Sequence, residues 1–257
     1  MSEDPEKLQE GTLISHLLEL RNRLMRALIA VGLVFAPCAY YSNQLFEFIA
    51  MPLMKIAKVH GFKLIATGVT TPFVTPFKLS FFVALFIAIP YVLFQVWAFV
   101  APGLYKHEKR FAIPLVVSSI LLFYIGVGFA YQFVFPVMFE FFATAAPKGV
   151  EMNTDISSYL DFVLTMFLAF GVAFEVPVVV VLLVITGIVS LEKLKSSRGY
   201  VLIGIFVIAA FLTPPDAVSQ CIMAVPMYLL YEGGIIMARV LSGMRRPDAE
   251  EEDAVEK

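Results

Sequence analysis

Two groups of acidic residues stand where a carboxylate could do chemistry. The first is a single acid, Glu175. The stretch 162–189, FVLTMFLAFGVAFEVPVVVVLLVITGIV, is long enough to cross a bilayer as a helix, and Glu175 is its one charge. A span needs about 20 apolar residues to cover about 30 Å of hydrocarbon, which places Glu175 near the midplane. An ionised acid there costs at least about 2.5–3.5 kcal/mol, so it is expected to be protonated, paired or facing a wet cavity. Pro177 removes a backbone donor and loosens the helix one turn back, around Ala173 and Phe174. A polar group and a weakened helix therefore coincide. The bland alternative is a neutral acid acting as hydrogen-bonded packing glue between helices.

The second group lies outside the apolar stretches. Glu19 and Arg21 form one patch, and Lys106, His107 and Glu108 the other, with Leu20, Phe99, Leu104 and Tyr105 as an apolar rim. A carboxylate beside hydrophobic surface suits a ligand that carries guanidinium groups next to an apolar segment. Arginine pairs with carboxylates in a plane and bidentately, which lysine cannot imitate. A solvated, salt-bridged face explains the same spacing equally simply. Enzymatic chemistry finds no footing. His16, His60 and His107 all fall outside the spans, so an intramembrane serine nucleophile has no base, and Asp216 at a turn supplies no aspartyl dyad. No phosphate loop or metal-ligand spacing occurs, and no cofactor is expected.

The elements that must position these residues are membrane helices. Hydrophobic residues make up 60% of the chain and charged residues 16%, against about 45–50% and 25% in soluble domains. The fold expected is an all-α polytopic membrane protein of six transmembrane helices. The spans are placed at about 27–41, 76–100, 111–135, 162–188, 200–212 and 218–236, within a single membrane domain of residues 1–240. The segment 12–26 reads as a separate amphipathic surface helix, with Thr12 as N-cap and Glu19–Arg23 as an i,i+4 pair in the favourable order. A short interfacial helix is expected over 45–56, broken at Pro52. Pro90 is expected to kink the second span, and Trp97 to join an interfacial aromatic belt. Gly126 and Gly128 permit close helix approach.

The last two spans read as short, which predicts a concave, thinned side of the molecule. Arg21, Arg23 and Arg26, then Lys106, Lys109 and Arg110, then Lys193, Lys195 and Arg198, and finally Arg239, Arg245 and Arg246 fall on one side. By the positive-inside rule both termini are cytoplasmic. The acidic start lacks the pattern of a cleaved signal, so insertion is expected through the chain's own helices. The acidic tail, 241–257, is expected to be disordered. Cys38 and Cys221 lie in apolar stretches and read as buried free thiols.

These residues also resemble a known family. HLLELRNRL (16–24), TPFVTPFKL (71–79), FQVWAFVAPGLYKHE (94–108), FPVMFEFF (135–142), TDISSYL (154–160), FGVAFEVPV (170–178) and LTPPDAVSQ (212–220) are together similar to TatC, the large subunit of the twin-arginine protein translocase. The resemblance covers the chain in order from Thr12 to about Arg239. It implies recognition of the twin-arginine signal peptides of already folded precursor proteins at the cytoplasmic face, and their transport driven by the proton-motive force. Carried over by motif, Glu19 and Glu108 would face the arginines, and Arg21, Phe99, Leu104, Tyr105 and Lys106 would shape the same site. The implied partners are single-span subunits of the TatA and TatB type, with Thr213, Asp216 and Gln220 near their contacts. Asp216 reads equally as a helix cap. Glu175 would be a polar point meeting a partner helix. Homo-oligomerisation in the inner membrane is also implied, because six helices cannot enclose a channel for a folded protein; nucleic acid is not an expected partner.

Two other functions fit the residues less well. A secondary transporter would use Glu175 as a proton-coupling acid, but no repeat pairs broken helices in two halves. A purely structural scaffold would tolerate loss of Glu19 and Glu108.

Overall fold

Apart from Gly11, good helix formers run from the polar start of the chain into its first apolar stretch, and the structure follows them as one helix. The computed structural model describes residues 5–48, 51, 64–104, 112–145, 154–213 and 216–244. Helix α1 is Pro5–Tyr40, 36 residues without interruption. The expected split at residue 26 is absent, and Thr12 lies inside the helix rather than capping it. Leu24, Met25, Arg26 and Ala27 all favour helix, so nothing at the polar–apolar boundary can end it. A short helix, α2, occupies residues 42–48; Pro52 lies outside the described residues.

The remaining helices are α3 (Thr71–Leu104), α4 (Ala112–Phe129), α5 (Phe135–Ala145), α6 (Ile156–Ala173), α7 (Val176–Ile185), α8 (Leu191–Ser196), α9 (Arg198–Leu212) and α10 (Ala217–Met244). A five-residue π-helical turn, Ala130–Val134, joins α4 to α5. Among the described residues, five segments are long and apolar enough to cross a membrane: Ile14–Tyr40, Thr71–Val100, Ile113–Phe142, Ile156–Ile185 and Ala217–Ser242. The sixth apolar helix, α9, has 15 residues and reaches only about 22 Å at 1.5 Å per residue. Its shortness matches expectation. That of the last helix does not, because α10 is 28 residues long. Met237, Ala238, Arg239 and Leu241 continue the helix beyond the apolar window, since a backbone follows propensity rather than hydropathy. Helix α10 includes 241–244; the rest of the acidic tail falls outside the described residues.

The chain forms two compact units, one of Met1–Ile120 with Asn153–Leu160 and the other of Leu121–Met152 with Asp161–Lys257. In the first, α1 packs along α3; Val31 and Cys38 of α1 are buried, as are Leu79, Ala84, Ala88 and Ile89 of α3. Helix α3 is continuous through Pro90. Trp97 belongs to this interior, only 8% exposed, and its indole N–H donates to Ser119 Oγ at 2.8 Å. A buried indole needs such an acceptor, and this one lies on another helix, beyond what local sequence shows.

In the second unit Phe135, Phe139, Phe162 and Phe167 pack ring to ring, and helix α7 packs on α10. Small residues permit these approaches. A Cβ on Gly126 would stand 2.5 Å from Phe170 O, and one on Gly234 2.9 Å from Pro177 Cα, whereas Gly128 has nothing within 4 Å. Of the two glycines expected to bring helices together, Gly126 does so within this chain. Cys221 is exposed rather than buried, because an apolar helix residue can face away from the protein as readily as into it.

One exposed carboxylate organises the junction before α6. Strand β1 (Leu64–Ile65) pairs in parallel with β2 (Thr154–Asp155). Asp155 Oδ1 accepts from the backbone N–H and the hydroxyl of Thr67 at 3.1 and 2.9 Å. Its Oδ2 accepts from the N–H and hydroxyl of Ser158 at 3.1 and 3.2 Å, capping α6. The Thr67 and Ser158 backbone bonds hold the carboxyl well below its usual range, at about 2. A lowered pKa means that the clasp contributes its full stability above the unfolded value, near 3.8, and loses it as pH falls through the folded one. Amide hydrogen exchange at Thr67 and Ser158 should therefore stay constant from pH 7 to 5 after correction for intrinsic rates. It should accelerate as pH drops towards 2, and Asp155→Asn should remove the transition. A flat profile in the unmodified chain would contradict this assignment.

Candidate functional site

In the first unit the α1–α3 seam assembles a polar cluster. Glu19 and Arg23 lie one turn apart, and Arg23 Nε and Nη2 donate to Glu19 Oε1 at 2.9 and 2.6 Å. Arg23 Nη1 also reaches Gln95 Oε1 of α3 at 3.4 Å, where Gln95 is 5% exposed. Alongside, the imidazole of His16 stacks on Phe99 with ring centroids 4.3 Å apart and planes inclined by 18°. Helix α1 thus presents Glu19 and Arg23 towards α3, and α3 answers with an amide and an aromatic ring. Arg21, two residues from Glu19, is exposed, as residues at i and i+2 do not share a helix face.

This arrangement supplies a carboxylate already bridged to a guanidinium and flanked by an aromatic surface. The Glu19 and Arg23 side chains retain 36% and 21% of their exposure. A partly solvated pair of this kind contributes about 0.2–1 kcal/mol. Exchange of Arg23 for another guanidinium is therefore cheap, while the geometry that accepts one is already built. Among the expected site residues, Glu19 and Phe99 come together on this seam. Leu104 is the last residue of α3. Tyr105, Lys106 and Glu108 lie outside the described residues. Spacing pointed to the Glu19–Arg23 pair, but Gln95 and the His16 stack were missed. Gln95 lies 72 residues from Arg23, and a lone amide in an apolar helix carries no local sign of its contact.

In the second unit, Phe174 and Glu175 form a turn between α6 and α7. The Glu175 N–H bonds Val172 O at 3.0 Å, a tightened i−3 turn where Pro177 cannot donate to Ala173. The break thus falls where the Glu–Val–Pro order puts it. Glu175 is half-buried, with both carboxylate oxygens shielded. Its neighbours Val172 and Val176 line an apolar groove of about 530 Å³, with Thr165, Gly204, Leu212 and Tyr231 among its other walls.

Two polar side chains flanking the turn after α9 bond within the chain. Thr213 is 6% exposed, and its hydroxyl donates to Ala209 O at 2.8 Å. Asp216 Oδ1 accepts from Ser219 N–H at 2.7 Å, the capping role that was one of its two readings. Gln220, on the first turn of α10, is half-buried. A further ion pair was not foreseen: Arg198 Nη2 donates to Glu232 Oε2 at 2.6 Å, and Tyr228 Oη to Glu232 Oε1 at 3.0 Å. These bonds tie the start of α9 to α10. Glu232 and Tyr228 one turn apart were its only sequence signal. Among the described residues no group of three or more His, Cys, Asp or Glu could hold a metal ion.

Comparison with known proteins places the chain in a family. The family model described as Sec-independent protein translocase protein (TatC) matches residues 15–226. The chain is 51% identical over 249 residues to the Sec-independent protein translocase protein TatC of Azotobacter chroococcum, covering 97% of both chains. It is 52% identical over 234 residues to the protein of that name from Escherichia coli K12, covering 91% of this chain and 90% of the relative. A crystal structure of the twin-arginine translocase receptor TatC superposes with a TM-score of 0.80 at 37% identity, covering 88% of this chain and 99% of that one.

Proposed function

Because the chain belongs to the TatC family, we propose that it is the subunit of a twin-arginine translocase that reads the signal peptides of folded precursors. It is a multi-pass inner-membrane protein and a component of protein transport rather than an enzyme. In this reading five long helices and the short α9 make six spans with both termini in the cytoplasm. The short α9 would thin the bilayer beside it.

The observation that carries the reading is the Glu19–Arg23 bridge, a carboxylate already holding a planar guanidinium at 2.6 Å beside Phe99. A signal-peptide arginine would displace Arg23 on Glu19, and its apolar segment would follow the rim. Glu108 would hold the second arginine, with Arg21, Leu104, Tyr105 and Lys106 around it. Single-span TatA- and TatB-type subunits would supply the rest of the pathway, with proton-motive force as the energy source. The neighbourhood of Thr213, Asp216 and Gln220 is the surface proposed for them. Thr213 and Asp216 spend hydrogen-bonding capacity within the chain, so Gln220 would make the more direct contact.

The test is binding of a fluorescent twin-arginine peptide to the chain in nanodiscs. Glu19→Ala and Glu108→Ala should each weaken it about two- to fivefold, the worth of a partly solvated ion pair. Equal affinity in both variants would refute recognition at this seam. Glu175 is assigned a protonated resting state, donating a hydrogen bond towards a partner helix. Glu175→Gln should then transport at the unmodified rate, because the amide still donates. A dead but correctly assembled Gln variant would instead require a titrating acid.

A further inference from the structure

Gln95 is a buried amide that binding of a ligand at Glu19 does not by itself require. It is 5% exposed on α3, and its Oε1 accepts from Arg23 Nη1 of α1 at 3.4 Å. That bond is long against the usual N–H···O distance of about 2.9–3.0 Å. The same guanidinium holds Glu19 Oε1 more closely, through Nε at 2.9 Å and Nη2 at 2.6 Å. Arg23 therefore bridges two acceptors of unequal grip. One is a carboxylate on its own helix, and the other is a neutral amide across the seam.

The two acceptors respond differently when Arg23 lets go. The Glu19 side chain keeps 36% of its exposure, so water or another guanidinium can take Arg23's place there. Gln95 is sealed, and among the described residues Arg23 is the donor its side-chain oxygen has. If Arg23 swung out to solvent, that buried oxygen would lose its partner, which costs more than the bond itself was worth. A guanidinium carries five N–H donors in a fixed fork. Nε and Nη2 can leave Glu19 while Nη1 stays on Gln95 and its long bond shortens. The least costly exit for Arg23 is a pivot towards α3.

We propose that Arg23 is a built-in competitor for the carboxylate that a signal-peptide arginine must take, and that Gln95 receives Arg23 when it is displaced. The seam then works by exchange: one guanidinium enters as another pivots aside, and neither Glu19 nor Gln95 is left without a donor. The internal pair lowers the affinity of every ligand for Glu19 by the worth of one half-exposed bridge. Ligands that engage the carboxylate weakly stay below that threshold. Gln95 keeps the threshold low enough to cross, because Arg23 has somewhere to go. This rests on reading Glu19 as the signal-peptide carboxylate, and the variants below separate the failure of one from that of the other.

The test is binding of a fluorescent twin-arginine peptide to the full chain in nanodiscs, read across single and double variants. Arg23→Ala should tighten binding about two- to fivefold. In a Glu19→Ala background it should change nothing, because the competition is for that carboxylate. Arg26→Ala removes the same charge from an exposed position of α1 and should not reproduce the gain. Gln95→Leu should weaken binding about two- to tenfold in the unmodified chain, and have no effect once Arg23 is alanine. An equal loss in both backgrounds would mark a packing defect and overturn the role of Gln95. Binding that Arg23→Ala weakens or leaves unchanged, while Glu19→Ala still weakens it, would overturn the competitor and leave the reading of Glu19 standing. A gain that persists without Glu19, or that Arg26→Ala matches, would overturn it as well. A Glu19→Ala chain that binds like the unmodified one removes the reading itself.

Discussion

A chain segment that crosses hydrocarbon must satisfy its own backbone hydrogen bonds, because no water is there to do so. That constraint shapes the whole molecule. Its apolar segments are long helices, and their interruptions are local and compensated. Where Pro177 withholds a donor, the chain tightens into the turn at Phe174 and Glu175 and resumes with Val179 N–H bonding Glu175 O at 3.0 Å. Where the third segment needs one more residue per turn, a π turn supplies it without a break in the helix. Each interruption carries a polar side chain, Glu175 or Gln132.

The same constraint limits where the proposed recognition can occur. Polar side chains are affordable at the ends of helices, where water reaches, and the Glu19–Arg23–Gln95 cluster sits before the most apolar part of α1. Its ion pair is half-solvated and correspondingly weak. Weakness is what the proposed reading requires: a pair buried and worth several kcal/mol would not release its carboxylate to a ligand. Phe99, stacked on His16, holds an aromatic surface next to the charge, which fits a peptide that is cationic at one end and apolar at the other.

Much of this was legible in the residues, and the failures share a cause. Apolar periodicity finds spans, and Glu175 with Pro177 located the α6–α7 break, because both effects act within one turn of their own position. Spacing found the Glu19–Arg23 pair for the same reason. Hydropathy cannot tell a protein-facing from a lipid-facing side chain, so Trp97 was placed at an interface although it is buried against Ser119. Cys221 was placed inside although it is exposed. Nor does hydropathy mark helix ends, so α1 and α10 both run further than their apolar windows. Gln95 and the Arg198–Glu232 bridge are contacts 72 and 34 residues apart, set by packing that no local pattern encodes.

The central claim is that a carboxylate-bearing cytoplasmic face reads a pair of guanidinium groups. Its most direct test is photocrosslinking of a twin-arginine precursor to a photoreactive residue at Leu104, the end of α3. The account predicts a strong crosslink to the signal peptide, lost both with Glu108→Ala and when the two arginines of the precursor become lysines. A crosslink that survives both changes would contradict it and move recognition elsewhere on the chain.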